Sequence, residues 1–146
     1  MSAIERTPAE AGALAAGLLV DACQPRPDNS LRLEVVRDLA LDLEHRLEVL
    51  ADPTGEDSDS LIEAALACAD LATLAACNLP ALPHEGRPLA KAAVHLAAGA
   101  SRALISLAES KAGALDETHA QNTLRDALSA GWRIDLAIRQ IEDPQD

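Results

Sequence analysis

The sequence predicts an all-α protein: an up-and-down antiparallel helical bundle of four long helices plus a shorter N-terminal helix. Three observations predict it. Hydrophobic residues make up 49% of the chain and are dominated by Ala and Leu, which with Arg and Glu are strong helix formers. The aromatic residues that favour strands are nearly absent, with no Phe, no Tyr and a single Trp, Trp132. Five apolar-periodic segments alternate with clusters of Pro, Gly and acids. A length of 146 residues fits one domain, 1–146, large enough to bury a core without disulfides or metals.

The first helix is predicted from about Pro8 to Cys23. Thr7-Pro8-Ala9-Glu10 reads as a capping box with proline at the first helical position. Ala11, Leu14, Ala15, Leu18 and Ala22 would form its buried face. Two prolines in Gln24–Asn29 end it, and Asn29 or Ser30 would cap the next helix. That second helix, about Leu31 to Ala51, carries Val36, Ala40, Leu43, Leu47 and Leu50 on a near-heptad stripe, widened by Leu39. Arg37, Glu44, His45 and Glu48 occupy its other side.

Residues 52–59 hold four acids with Pro and Gly, and read as a solvated loop. The pattern of a calcium-binding loop is missing there. Ser60 and Glu63 read as a second capping box, opening a helix from about Leu61 to Cys77 that is apolar almost all round. Such a helix is either central to a bundle or covered by another subunit. Its apolar run, Ala64 to Cys77, is interrupted by Asp70 and reads as too short to span a bilayer.

A proline-rich loop, 78–87, precedes the fourth helix, about Pro88 to Lys111. Leu89, Ala93, Leu96, Ala97, Ala100, Leu104 and Leu107 form its core face, with small residues allowing close approach to the third helix. Gly113 would end it, with Lys111 near the C-terminal dipole. The fifth helix starts after Asp116 and runs to about Ile141, with Ala120, Leu124, Ala127, Ala130, Ile134, Ala137 and Ile141 inward. The tail, 142–146, reads as frayed. At 1.5 Å per residue the long helices span roughly 30–38 Å, enough for a four-helix core with the first helix lying across it.

A formal net charge of −12 disfavours nucleic-acid backbones as partners. Three cysteines at irregular spacing, Cys23, Cys68 and Cys77, do not make a disulfide framework, and each reads as a small buried hydrophobe. The expectation is a cytoplasmic protein with no cleavable signal and no membrane partner.

Catalytic chemistry finds no foothold. Asp42-Leu43-Glu44-His45 and Asp116-Glu117-Thr118-His119 have Asp where a carboxylate-bridged dimetal bundle uses Glu, so no metal or other cofactor is expected. Arg37…His45 and Arg87…His95 each enclose seven residues. Helical nucleases of the HEPN class place Arg and His four to six residues apart so that both reach one phosphate, and the pairs here are similar only in outline. Cys68 and Cys77, nine apart, point to opposite sides of one helix.

Two surface stripes remain. Lys91, His95, Gly99, Arg102 and Ser106 line the fourth helix opposite its core face. Arg125, Ser129, Trp132, Leu136 and Arg139 line the fifth, where an aromatic beside Leu and two arginines has the composition of an interface hot spot. The opposing reading places Trp132 at the edge of the core, covered by the arginine stems. The sequence therefore predicts a non-enzymatic interaction or structural protein that self-associates as a homodimer through Trp132, Leu136, Arg125 and Arg139. The alternative is a small-ligand binder or enzyme with a polar site between helices four and five, built from His95, Arg102, Arg125, Asp126 and Arg133.

Overall fold

The computed structural model describes residues 3–24, 31–51 and 58–142. Five helices follow in order: α1 (Ala3–Ala22), α2 (Leu31–Leu50), α3 (Ser58–Asn78), α4 (Arg87–Lys111) and α5 (Glu117–Glu142). Short 3-10 turns at Leu79–Ala81, His84–Gly86 and Ala112–Ala114 join the later helices. The all-α bundle is as the sequence indicates. The cap of α2, the acids at 52–57 and the tail at 143–146 lie outside the described residues.

The helices alternate in direction. Gly12 of α1 lies against Leu47 of α2, and Gly17 against Glu44, so α1 and α2 run antiparallel. Residues 7–11 of α1 share a cleft with residues 95–103 of α4, while Ala22 meets Gly86 just before α4 begins, so this pair is antiparallel too. α5 runs parallel to α3, as three contacts along its length show: His119 with Asp59, Arg133 with Asp70, and Gln140 with Cys77.

α3 is the centre of the bundle. It packs on all four other helices, and Leu61, Ala64, Ala65, Ala67, Cys68, Ala69, Leu71, Ala72, Ala75 and Ala76 are buried. Its apolar character is thus absorbed within one chain rather than by a second subunit. The apolar span is also longer than the sequence reading allows. Asp59–Ala81, 23 residues with mean hydropathy 1.6, is long and apolar enough to cross a membrane by length and composition. In this fold that surface goes to the neighbouring helices.

α1 differs most from expectation. At 20 residues it equals α2, and it packs on α2, α3 and α4 as a full member of the core rather than lying across it. It starts at Ala3, so Pro8 is inside the helix and Thr7-Pro8-Ala9-Glu10 is not its N-terminal capping box. Pro8 lies in the second turn, where it forfeits its own bond to the carbonyl four residues back. The buried face is also rotated. Ala9, Gly12, Ala13, Ala16, Leu19 and Cys23 point inward with Ala15 and Ala22, while Leu14 is 68% exposed. A segment apolar nearly all round leaves its phase to tertiary packing, and the smallest side chains take the tightest contacts.

Elsewhere the predicted faces hold more closely. Leu33, Val36, Ala40 and Leu47 are buried on α2, although Leu39 is exposed instead of widening the core stripe. Ala90, Ala93, Val94, Ala97, Ala100 and Leu104 are buried on α4. Among them Ser101 is fully buried, and its Oγ donates to the Ala65 carbonyl of α3 at 2.8 Å. That bond is available only because alanines on both helices bring the backbones close. Asp116 caps α5, its Oδ1 accepting from the His119 backbone N–H at 2.8 Å. α3 begins at Ser58, so Ser60 is its third residue rather than its cap. Gly113 lies in a 3-10 turn, and no described glycine has a positive φ, so α4 ends without a left-handed cap.

Candidate functional site

α5 has the most sharply divided faces. Thr123, Ala127, Ala130, Ile134, Ala137 and Ile141 are buried against α3 and α4 at three- and four-residue intervals. Leu124, Leu128, Trp132 and Leu136 recur every four residues on the outer side, with exposures of 47, 76, 70 and 52%. A four-residue step drifts only slightly around a helix, so these side chains form one continuous ridge. Arg125 and Arg139 are exposed beside it, the Arg139 Nε donating to the Asp135 carbonyl at 3.4 Å.

This arrangement overturns two expectations. Leu124 does not face inward, because the core of α5 is centred on Ala130 and Ile134. Trp132 does not close the core edge under arginine stems; it stands outward at 70% exposure. The four residues predicted as an interface, Trp132, Leu136, Arg125 and Arg139, do share the outer side of α5.

The five residues predicted to bind a ligand between α4 and α5 are not brought together. Arg102 and Arg133 are held on opposite flanks of α5. Arg102 binds Asp135 at 3.1 Å, while Arg133 binds Asp70 of α3 at 2.7 Å and the Ser129 Oγ at 3.2 Å. Both pairs are half exposed and contribute little to stability. Arg125 projects from the outer face, Asp126 is half-buried, and His95 belongs to a different surface.

That surface is a shallow apolar cleft of about 460 Å³ between α1 and α4, lined by Thr7, Pro8, Ala11, His95, Leu96, Gly99, Ala100 and Ala103. Lys91, His95, Gly99, Arg102 and Ser106 are all exposed along α4, as predicted. A smaller groove of about 290 Å³ runs between α2 and α3, walled by Leu39, Leu43 and Leu74 with Asp42, Arg46 and Asp70.

The remaining chemical candidates are structural. Among the described residues no three His, Cys, Asp or Glu side chains gather to hold a metal. His119 pairs with Asp59, tying the start of α5 to the start of α3. Arg87 donates to the carbonyls of Leu82 and Pro80, bracing the turn before α4, far in role from a phosphate-binding arginine. All three cysteines are free. Burial pushes the Cys68 thiol up to about 12. Burial also raises Cys23, partly opposed by the Arg37 guanidinium. Cys77 departs from the prediction: it is exposed near the end of α3, where its Sγ lies 3.9 Å from the Gln140 Oε1 of α5.

What the fold and surface define is a five-helix bundle with an exposed apolar ridge on α5. No protein-family profile matches the chain, and no curated protein or solved structure matches it either.

Proposed function

We propose that this chain is a non-enzymatic interaction protein that self-associates through the outer face of α5. The observation that supports this is the exposure of Leu124, Leu128, Trp132 and Leu136 on one ridge. Together they present on the order of 500 Å² of apolar surface, the scale at which exposed patches mark interaction sites. The only aromatic side chain in the protein sits on that ridge rather than in the core. Trp and Arg are among the residues enriched in interface hot spots. The three free cysteines suit the reducing conditions of the cytoplasm, the compartment proposed for the protein.

Sedimentation equilibrium of the untagged protein and of Trp132→Ala tests this. The wild type should form a dimer at micromolar concentration, and the variant should be monomeric, with the melting temperature of the dilute, monomeric wild type. A wild type that stays monomeric at high concentration, or a variant that still dimerises with the same affinity, overturns the reading.

A further inference from the structure

Gly99 has no structural reason to be a glycine. It lies in the middle of α4, where glycine costs roughly 0.5–1 kcal/mol relative to alanine. A Cβ placed on it meets nothing within 4 Å. What the missing side chain does is open the cleft between α1 and α4, whose other lining residues include Ala11, Ala100 and Ala103. We infer that this cleft receives Trp132 from a second copy of the chain, and that the two copies insert reciprocally. This rests on the self-association proposed above and names the surface the ridge docks into.

Three features of the molecule select this occupant. The first is height along the bundle. The Arg102–Asp135 pair fixes α5 against α4, so Trp132 lies within a turn of Arg102. Gly99, Ala100 and Ala103 lie within a turn of Arg102 on α4 itself. α1 and α5 flank α4 on opposite sides, and the stripe of His95, Gly99 and Arg102 faces out between them. A two-fold axis parallel to the helices and beside that stripe preserves heights and exchanges the α5 side for the α1 side. It brings each ridge to the partner's cleft, and the contact closes as a dimer rather than propagating. The exposed Leu31, Val35 and Leu39 of α2 do not meet this axis, because α2 packs on α1 and α3 rather than on α4, beside which the axis lies.

The second is area. A ridge pairing only with its own copy would bury about 1,000 Å² in total, below the roughly 1,600 Å² of a standard stable interface. Reciprocal insertion covers ridge and cleft on both copies and brings the total to about 1,200 Å², the lower end of the range for specific interfaces. The third is charge. The edge of α1 beside the cleft exposes Glu10 together with Leu14, one helical turn apart. The incoming ridge carries Arg139 one turn beyond Leu136. Arg102, which would face its own copy near the axis, is already neutralised by Asp135.

The chain has no Tyr and no Phe, so its emission reports Trp132 alone. Emission maximum and sedimentation are measured on dilution for the wild type, Gly99→Leu, Ala103→Gln and Trp132→Ala. If the cleft is the receptor, Gly99→Leu weakens dimerisation at least tenfold without lowering the melting temperature measured at dilutions where both proteins are monomeric. Its tryptophan then emits at the solvent-exposed position where the wild type is blue-shifted. Ala103→Gln gives the same outcome by a different side chain, so a folding defect in one variant does not leave the question open. If Trp132→Ala dissociates the dimer while both cleft variants keep it intact and blue-shifted, this inference falls and the self-association stands. If Trp132→Ala leaves the dimer unchanged, both fall.

Discussion

Glycine does opposite work on two sides of this bundle. Gly12 and Gly86 lie inside, where helices and turns meet at the shortest range. A Cβ at Gly12 would stand 2.5 Å from the Cys68 Sγ and 3.3 Å from Leu47 Cδ1, and one at Gly86 would stand 2.6 Å from the Ala22 carbonyl oxygen. Gly99 and Gly131 lie on the α4–α5 side, where a Cβ would meet nothing within 4 Å. The interior glycines set the spacing of α1 against its neighbours. The outer pair leave space that no described residue fills. The contrast separates what holds the monomer together from what it leaves open for the partner proposed above, and each pair can be tested by adding one methyl group.

The largest effect is expected at Gly86. Its neighbour is a backbone carbonyl at the C-terminal end of α1, which cannot rotate away as a side chain would. Gly86→Ala must therefore shift the turn before α4 or the end of α1, and should destabilise by about 3 kcal/mol or more. Chemical denaturation checks it; a loss below about 1 kcal/mol would show that this turn is not seated on α1.

Gly12→Ala comes next, at about 1–3 kcal/mol, the usual cost of overpacking a tight core. Its closest obstacle is one sulfur atom, so the cost should depend on that atom. In a double-mutant cycle with Cys68→Ala, the two changes together should cost clearly less than their sum. Strict additivity would mean that Leu47, not Cys68, sets the distance between α1 and the rest of the core.

Cys68 also gives the interior a pH signature. Its thiol is pushed up to about 12 from an ordinary 9.0, because burial penalises the thiolate. Between these values the unfolded chain releases the proton and the folded chain keeps it. The unfolded state then binds fewer protons, so stability falls as pH rises above 9, by up to about 1.4 kcal/mol per pH unit. The burial-raised Cys23 acts in the same direction. Cys68→Ala should flatten its share of that slope in denaturation curves between pH 8 and 10.5. An unchanged slope would place the titrating group elsewhere. At pH 8 a thiol reagent should modify the exposed Cys77 while Cys23 and Cys68 remain protected until unfolding.

Helix number and order were legible because Pro, Gly and capping residues punctuate a chain of strong helix formers. Asp116 shows how far such local chemistry reaches, since its carboxylate makes the predicted bond. Helical phase was legible only where polar residues marked the outer side, as on α2 and α4. On α1 nearly every residue is small and apolar, so the side facing α3 was decided by Gly12 and the alanines around it, and Leu14 went outward. Trp132 had two readings for a related reason: its stripe mixes arginine with leucine, which suits an interface and a core margin equally. The polar site between α4 and α5 failed for lack of tertiary information. Arg102 and Arg133 are both on offer in the sequence, but their carboxylate partners, Asp135 and Asp70, draw them to different flanks.

The smallest expected effect has the sharpest sign. Gly131 sits inside α5 beside Trp132, half-buried, and a Cβ there would enter open space within the monomer. Replacing glycine with alanine in a helix interior removes unfolded-state entropy and improves helix propensity. Gly131→Ala should therefore stabilise the monomer by about 0.5–1 kcal/mol, a rise of roughly 2–3 °C in melting temperature for a chain of this size. The measurement belongs at low protein concentration, so that dimer formation does not add to the apparent stability. A loss of stability there would mean that Gly131 has an internal packing role like that of Gly12, and the division between inner and outer glycines would fail. A gain in monomer stability together with weaker dimerisation would extend the docking surface from the ridge toward α4, because Gly131 lies on the side of Trp132 nearer that helix.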